Sequence, residues 1–358
     1  MNIIGFIKNP TDKKYRHYLR SYLVLLTAPF RKSYHYLIDI DGIVDLLASR
    51  AEEKKKNKLI PIKIYQPSKK TTVDQYWSEH TVSMGEFKSA FASKRNLAWR
   101  FRWYPKFREL MKLYGDHRGE VILDYGCGPG NDVVGFGLYS KAKTIIGMDV
   151  SLKALRLAQQ RLNLHNSINS RRIELIQISD KVAKIPLKDN SVDYIYSEGV
   201  LHHTTQPLAI LEEFYRILKP GSEALIMVYN YYSVFVHLWL AYERMVVRKD
   251  YPGLDIVKAF NKSTDGENCP ISKYYKPQEF IVLGEKAGFS CEYLGGYLSK
   301  AELDCLKKYF SAALKDKRLA KEHQNFLKKL VFDEGNLVKY DERYAGIGGV
   351  YRFKKLKT

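Results

Sequence analysis

The residues of this 358-residue chain with the most pointed chemistry lie in one run, Val121-Ile122-Leu123-Asp124-Tyr125-Gly126-Cys127-Gly128-Pro129-Gly130. An apolar strand that ends in GxGxG and leads into a helix brings bare backbone up to whatever binds at the sheet's carboxyl edge. A side chain there would hold the ligand off. A dinucleotide site is marked instead by GxGxxG, and its third glycine position is Asn131 here, which counts against a nicotinamide cofactor. Asp149, with Val150 beside it, ends the next strand about 20 residues past the glycines, where an acid accepts hydrogen bonds from both hydroxyls of a ribose. Asp180 follows the third strand, placed to accept from an adenine amino group. Each has a plainer reading: a tight connection for the glycines, an acid before a helix starting beyond Ser151 for Asp149, a loop acid for Asp180. Taken together they favour a nucleoside-bearing ligand.

His202 and His203 come after the fourth strand, at the same edge, and are the candidates for a general base. A helix cap or plain packing accounts for them equally well. Tyr229, Asn230, Tyr231 and Tyr232 leave the fifth strand beside them, as pocket wall or as ordinary core. Cys127, Cys269, Cys291 and Cys305 show neither CxxC spacing nor a dense framework, so neither a structural metal nor a disulfide scaffold is expected. A reducing cytoplasm is the expected compartment.

These residues need a frame to position them. From Glu120 onward, short apolar runs alternate with amphipathic ones, the pattern of a doubly wound parallel sheet. Strands are predicted at 121–125, 144–149, 172–177, 192–197, 223–229, 289–297 and 348–353, with helices at 132–139, 152–163, 207–218 and 277–287. Lys219-Pro220-Gly221 is expected to stop the third of those helices. Before the sheet, Phe87, Phe91, Trp99, Trp103, Phe107 and Met111 repeat at roughly helical intervals between Gly85 and Tyr114. Residues 231–250 read as a lid helix or a surface-seeking one. The expected architecture is thus an α/β, Rossmann-like, doubly wound and mostly parallel seven-stranded sheet. It carries an N-terminal appendage (1–75), a main domain (76–358), cover segments at 76–114 and 231–275, and a helical insertion at 298–346.

The chain is basic, with a formal net charge of +20. Nucleic acid, an anionic membrane surface, a polyanionic substrate or simply a solvated lysine-rich surface all suit that charge. The apolar run 22–30 is flanked by Arg20 and Arg31 and is too short to span a bilayer, and no signal-peptide cleavage site is seen. The run from Glu52 to Lys58 reads as a solvated linker or helix face.

A longer stretch carries a specific likeness. Ile185-Pro186-Leu187-Lys188-Asp189-Asn190-Ser191-Val192-Asp193-Tyr194-Ile195-Tyr196-Ser197-Glu198-Gly199-Val200-Leu201-His202-His203-Thr204, followed by Arg216-Ile217-Leu218-Lys219-Pro220-Gly221, resembles class I S-adenosylmethionine-dependent methyltransferases of the ubiquinone/menaquinone-biosynthesis-like superfamily. The likeness runs from about Tyr76 to Phe289. It implies that the turn containing Gly126, Cys127, Gly128 and Gly130 lies along the methionyl part of S-adenosyl-L-methionine, with Asp124 near the amino group. Asp149 and Val150 then hold ribose and Asp180 faces adenine, with Lys181 and Val182 as competing contacts because the third connection is one residue longer than usual. Ser197, Glu198 and Gly199 pass close to the cofactor, and Tyr76 and Trp77 match an aromatic pair that closes over it. Leu25–Pro29 and Tyr36–Ile43 resemble a small zinc-ribbon-like module without its cysteines, so no zinc is expected there.

The implied reaction is methyl transfer to a small-molecule acceptor, a metabolite, lipid or saccharide, by direct in-line displacement. Here alignment of donor and acceptor does most of the work, and a base helps only if the nucleophile must lose a proton. The alternatives are a nucleic-acid methyltransferase, disfavoured by the lack of an RNA-binding module or an Asn-Pro-Pro-Tyr-like motif, and a non-catalytic cofactor-binding protein. Contact with anionic membrane, if any, is expected to be weak, peripheral and screened by salt.

Overall fold

A computed structural model of the chain describes residues 60–65, 71–82 and 86–357. The runs 22–30 and 52–58, both zinc-ribbon-like segments and Gly85 lie outside the described residues. The first described elements are β1 (Ile62–Ile64), α1 (Thr72–Glu79), α2 (Ala90–Trp103) and the short α3 (Phe107–Leu110). Thr71 caps α1 reciprocally with Asp74, each side chain taking the other's backbone N–H. The helical pattern expected as far as Met111 breaks after Trp103, since Pro105 disfavours helical backbone in Tyr104 before it.

The alternating half follows as β2 (Val121–Tyr125), α4 (Asn131–Tyr139), β3 (Thr144–Asp149), α5 (Leu152–Asn163), β4 (Ile173–Gln177), β5 (Val192–Glu198), α6 (Pro207–Ile217) and β6 (Leu218–Asn230). The strands are parallel in the order β4-β3-β2-β5-β6. Their neighbours alternate faces: Ile122, Ile145, Leu175, Tyr194 and Leu225 pack on one side, and Leu123, Ile146, Ile176, Ile195 and Ile226 on the other. Helices cover both faces, so both residues of each pair are buried and the strands read as unbroken apolar runs. The chain winds outward from β2 in one direction and from β5 in the other, which opens a crevice at the β2/β5 switch point.

The remainder comprises α7 (Phe235–Val247), α8 (Ile256–Ser263), β7 (Tyr274–Tyr275), α9 (Pro277–Lys286), β8 (Ser290–Tyr297), α10 (Lys300–Lys315), α11 (Lys321–Lys328), β9 (Val331–Phe332), β10 (Val338–Tyr340), β11 (Arg343–Tyr344) and β12 (Gly348–Lys354). β12 runs antiparallel between β6 and β8. The seven expected strands all form, β1 and β7 add two short ones to the same sheet, beside β4 and at the tip of β6, and β9, β10 and β11 make a separate three-stranded antiparallel sheet within the segment 298–346 that was expected to be helical. Three and two residues are too few for a period to register in sequence. The boundary drawn near residue 75 falls inside α1.

Leu218 pairs with Val192, and Glu223 with Tyr194, so residues 219–222 bulge as the chain leaves α6 for β6. The helix therefore stops where Lys219-Pro220-Gly221 was expected to stop it, but the strand begins sooner. α7 is wound in the wide π form, with Arg248 N–H reaching Glu243 O. Its Val236, Leu238, Leu240 and Ala241 are buried among apolar residues of α8, α10 and α11, so this helix keeps its apolar side within the protein. Among the described residues no helix is long and apolar enough to cross a membrane.

Candidate active site

A cavity of about 640 Å³ occupies the crevice above the carboxyl ends of β2, β3, β5 and β6, with walls from α1, α2 and α7. Its floor is the glycine turn, where Gly126, Gly128 and Gly130 adopt φ of 77°, 51° and 78°. A Cβ on Gly126 would meet Val200 at 2.1 Å and one on Gly130 would meet Ala158 at 2.8 Å, so these two let the turn pack against its neighbours. Gly128 has no other heavy atom within 4 Å of such a Cβ: its bare backbone faces the cavity.

Asp149 fastens this turn. One carboxylate oxygen accepts from Gly128 N–H at 2.8 Å and the other from Ser151 N–H at 2.7 Å. Burial pushes the Asp149 carboxyl up to about 6 in spite of those two bonds. Deeper in the cavity, Arg100 of α2 bridges Asp132 at 3.0 Å and Glu198 at 2.7 Å. Tyr114 and Tyr297 donate to those same two carboxylates. Burial opposes the Arg100 charge, but Asp132 and Glu198 outweigh it and raise its pKa. Asp124 has an oxygen buried without a protein partner, and burial, then Asp132 and Glu198, push its pKa well up. A buried polar atom left over in a cavity wall is suited to a polar ligand group.

At the β5–β6 side, Asp265, from the segment after α8, gathers three side chains. Tyr229 Oη donates to one of its oxygens at 3.0 Å, Ser272 Oγ donates to the other at 3.0 Å, and His203 Nε2 lies 3.6 Å from that second oxygen. His203 Nδ1 is 2.7 Å from the Ile271 carbonyl, which can only accept, so Nδ1 carries the hydrogen and Nε2 of the neutral ring is a lone pair. Burial lowers the His203 pKa, opposed by Asp265. The Trp77 indole packs against the ring at 4.7 Å.

Residues 123–226 match the family described as "Methyltransferase domain". Residues 123–226 thus form a methyltransferase domain. Among its relatives is an uncharacterized methyltransferase of Schizosaccharomyces pombe, 35% identical over 102 residues, covering 28% of this chain and 37% of that protein. A ubiquinone biosynthesis O-methyltransferase of Thiobacillus denitrificans is 28% identical over 178 residues, 50% of this chain and 68% of that one. A demethylmenaquinone methyltransferase of Oceanobacillus iheyensis is 26% identical over 136 residues, 38% and 52%. The chain thus spans about a third to two thirds of the length of these relatives.

Of the residues singled out in this methyltransferase domain and its flanks, Asp124, Gly126, Cys127, Gly128, Asp149, Val150, Asp180, Glu198, Gly199, His203 and Tyr229 meet at the cavity. Others do not line it. The side chain of Tyr76 turns away and donates to the Asp265 carbonyl, leaving Trp77 of that aromatic pair on the wall. Lys181 is exposed, with its N–H on Ser179 Oγ. Ser197 is buried and spends its hydroxyl on Tyr125 O across the sheet. Gly130 packs behind the turn. His202 is fully buried, accepts from Tyr229 N–H, and is held neutral by burial and by His203. The Asp180 carboxylate reaches the cavity but is bonded by the Thr204 and Thr205 hydroxyls.

Sequence reasoning did not single out Arg100, Asp132 or Asp265, which reach the site from α2, α4 and the loop after α8. It also missed Asp74, which takes Ser179 Oγ at 2.5 Å and Asp180 N–H at 2.8 Å and so docks α1 on the third connection. The Thr71-x-x-Asp74 capping box was the one signal available for any of them.

Proposed function

We propose that the protein transfers the methyl group of S-adenosyl-L-methionine to a small-molecule acceptor that enters between His203 and the Tyr229 to Tyr232 segment. One observation carries this reading: the bare Gly128 backbone, Asp149 and the leftover Asp124 oxygen share a continuous space with the His203–Asp265–Tyr229 group. The residues suit the cofactor. Asp149 is suited to the ribose hydroxyls, the Gly128 opening to a chain lying along the turn, and Asp124 to an ammonium. When bound, the cofactor supplies a sulfonium methyl that is already activated. The protein's residues therefore need to orient the acceptor, exclude water and, where the nucleophile carries a proton, take it on His203 Nε2. Trp77, Trp99, Trp103 and Trp239 on the walls give an acceptor apolar surface to pack against. The ubiquinone and menaquinone methyltransferases among its relatives make a small organic acceptor the better reading than nucleic acid. S-adenosylmethionine and S-adenosylhomocysteine are expected to compete in calorimetry. Labelled cofactor is expected to mark the metabolite fraction of acceptor pools and not the nucleic-acid fraction, a result whose reversal overturns the reading.

A further inference from the structure

We propose that the acceptor is a cationic amine with an apolar or aromatic body, held as its ammonium by Asp265 and deprotonated by His203. The inference rests on the methyltransferase reading and deepens it. Three observations carry it.

The first is a mismatch of donors and acceptors. With Nδ1–H spent on the Ile271 carbonyl, the neutral His203 ring presents a bare Nε2 lone pair 3.6 Å from an Asp265 oxygen. Two acceptors face each other with no hydrogen between them. The Tyr229 hydroxyl is already turned onto Asp265, so it is not free to donate to an incoming oxygen. A hydroxyl acceptor brings one hydrogen and satisfies only one of the pair, whereas an ammonium brings three and a positive charge and satisfies both.

The second is charge. The chain as a whole is +20, yet the cavity is lined by Asp124, Asp132, Asp149, Asp180, Glu198 and Asp265 against a single lining arginine or lysine, Arg100, among the described residues. That arginine is committed to Asp132 and Glu198. With Asp124 and Asp149 assigned to the cofactor and Asp132 and Glu198 tied to Arg100, Asp265 is the carboxylate left beside His203 to face a cation.

The third is the wall. All four tryptophans of the chain, Trp77, Trp99, Trp103 and Trp239, line this cavity. Indole is the strongest neutral partner for an organic cation, and it also packs a flat apolar body.

The chemistry balances. The bound ammonium gives one proton to His203 Nε2, and the freed nitrogen pair forms the N–CH3 bond as the S–CH3 bond breaks with its electrons remaining on sulfur. The product is a methylated ammonium plus the neutral thioether, and the proton on His203 leaves to solvent.

The test uses the full chain saturated with S-adenosylhomocysteine, titrated with 2-phenylethylamine and with its isostere 2-phenylethanol. Binding is followed by calorimetry and by the tryptophan fluorescence, which reports from the cavity itself. The expected result is at least tenfold tighter binding of the amine, a preference lost in Asp265→Asn and kept in His203→Gln, whose amide oxygen can still accept. His203→Gln is expected to lose most of the methylation of the amine while retaining its binding. Equal binding of amine and alcohol, or an amine preference indifferent to Asp265→Asn in a variant that still binds S-adenosylhomocysteine, overturns the proposal and leaves the methyltransferase reading standing. Failure of the wild-type protein to bind S-adenosylhomocysteine overturns both. Should Asp265→Asn not fold, the wild-type amine-to-alcohol ratio and the His203→Gln split decide the matter.

Discussion

Replacing Asp149 by asparagine separates binding from stability, because the same carboxylate anchors the glycine turn and bears a half-buried charge. Its two oxygens accept from Gly128 and Ser151 N–H groups. Asparagine offers one oxygen and an NH2, so one backbone donor faces another donor and the ribose hydroxyls lose an ionised acceptor. Leaving such groups unpaired costs about 1–3 kcal/mol, so S-adenosylhomocysteine is expected to bind about 5- to 150-fold more weakly. Stability moves the other way. The Asp149 carboxyl is raised from 3.8 to about 6 by burial, so the folded state holds the proton more tightly than the unfolded chain. The stability contributed by this group is then greatest below pH 4 and is lost as the pH rises through the window from about 4 to 6, by on the order of 3 kcal/mol in total. Asparagine resembles the protonated form, so the variant is expected to match the wild type near pH 4, to melt no lower at pH 7, and to show a flatter profile between. Calorimetric titration at pH 7 and thermal melts across pH 4–7 measure both. Unchanged affinity in a folded variant removes Asp149 from the cofactor site, and a lower melting temperature at pH 7 contradicts the buried-charge reasoning.

Arg100→Met leaves the buried Asp132 and the half-buried Glu198 without their cation and is expected to cost about 3–5 kcal/mol in denaturant unfolding. Gly130→Ala places a methyl 2.8 Å from Ala158 at a φ of 78° and is expected to lower stability by about 1–3 kcal/mol. Gly128→Ala, whose methyl meets no protein atom, is expected to cost about 1–2 kcal/mol of backbone strain while weakening S-adenosylhomocysteine binding; equal affinity in that variant moves the cofactor off the turn. Turnover is expected to survive EDTA, and activity lost to the chelator and restored by one divalent ion shows a metal requirement.

Much of the sheet was legible because burial on both faces forces continuous apolar strands, and a helix buried on one side must repeat at 3.6 residues. Val121–Tyr125, Thr144–Asp149 and Leu152–Asn163 form as the pattern requires. The edge strand at Ile62–Ile64 and the tip strand at Tyr274–Tyr275 were not legible, since each is fixed by one neighbour and not by a period of its own. Among the site residues, those adjoining strand ends could be read. A strand's carboxyl end in a parallel sheet faces the ligand crevice wherever the chain goes next, and this placed Gly128, Asp149, Glu198 and His203 together.

The sequence by itself therefore determined the doubly wound frame and the glycine turn with its acid, because these follow from local periodicity and from the position of a residue along one strand. Only the tertiary structure decided which neighbours take part. It turned Tyr76 onto the Asp265 carbonyl, spent Ser197 across the sheet, buried His202 as a neutral acceptor, and brought Arg100 and Asp265 to the cavity from segments 98 residues before Glu198 and 62 residues after His203. Hydrogen-bond partners are chosen by distance in space, and no spacing along the chain encodes the folding of α2 and the loop after α8 over the same crevice.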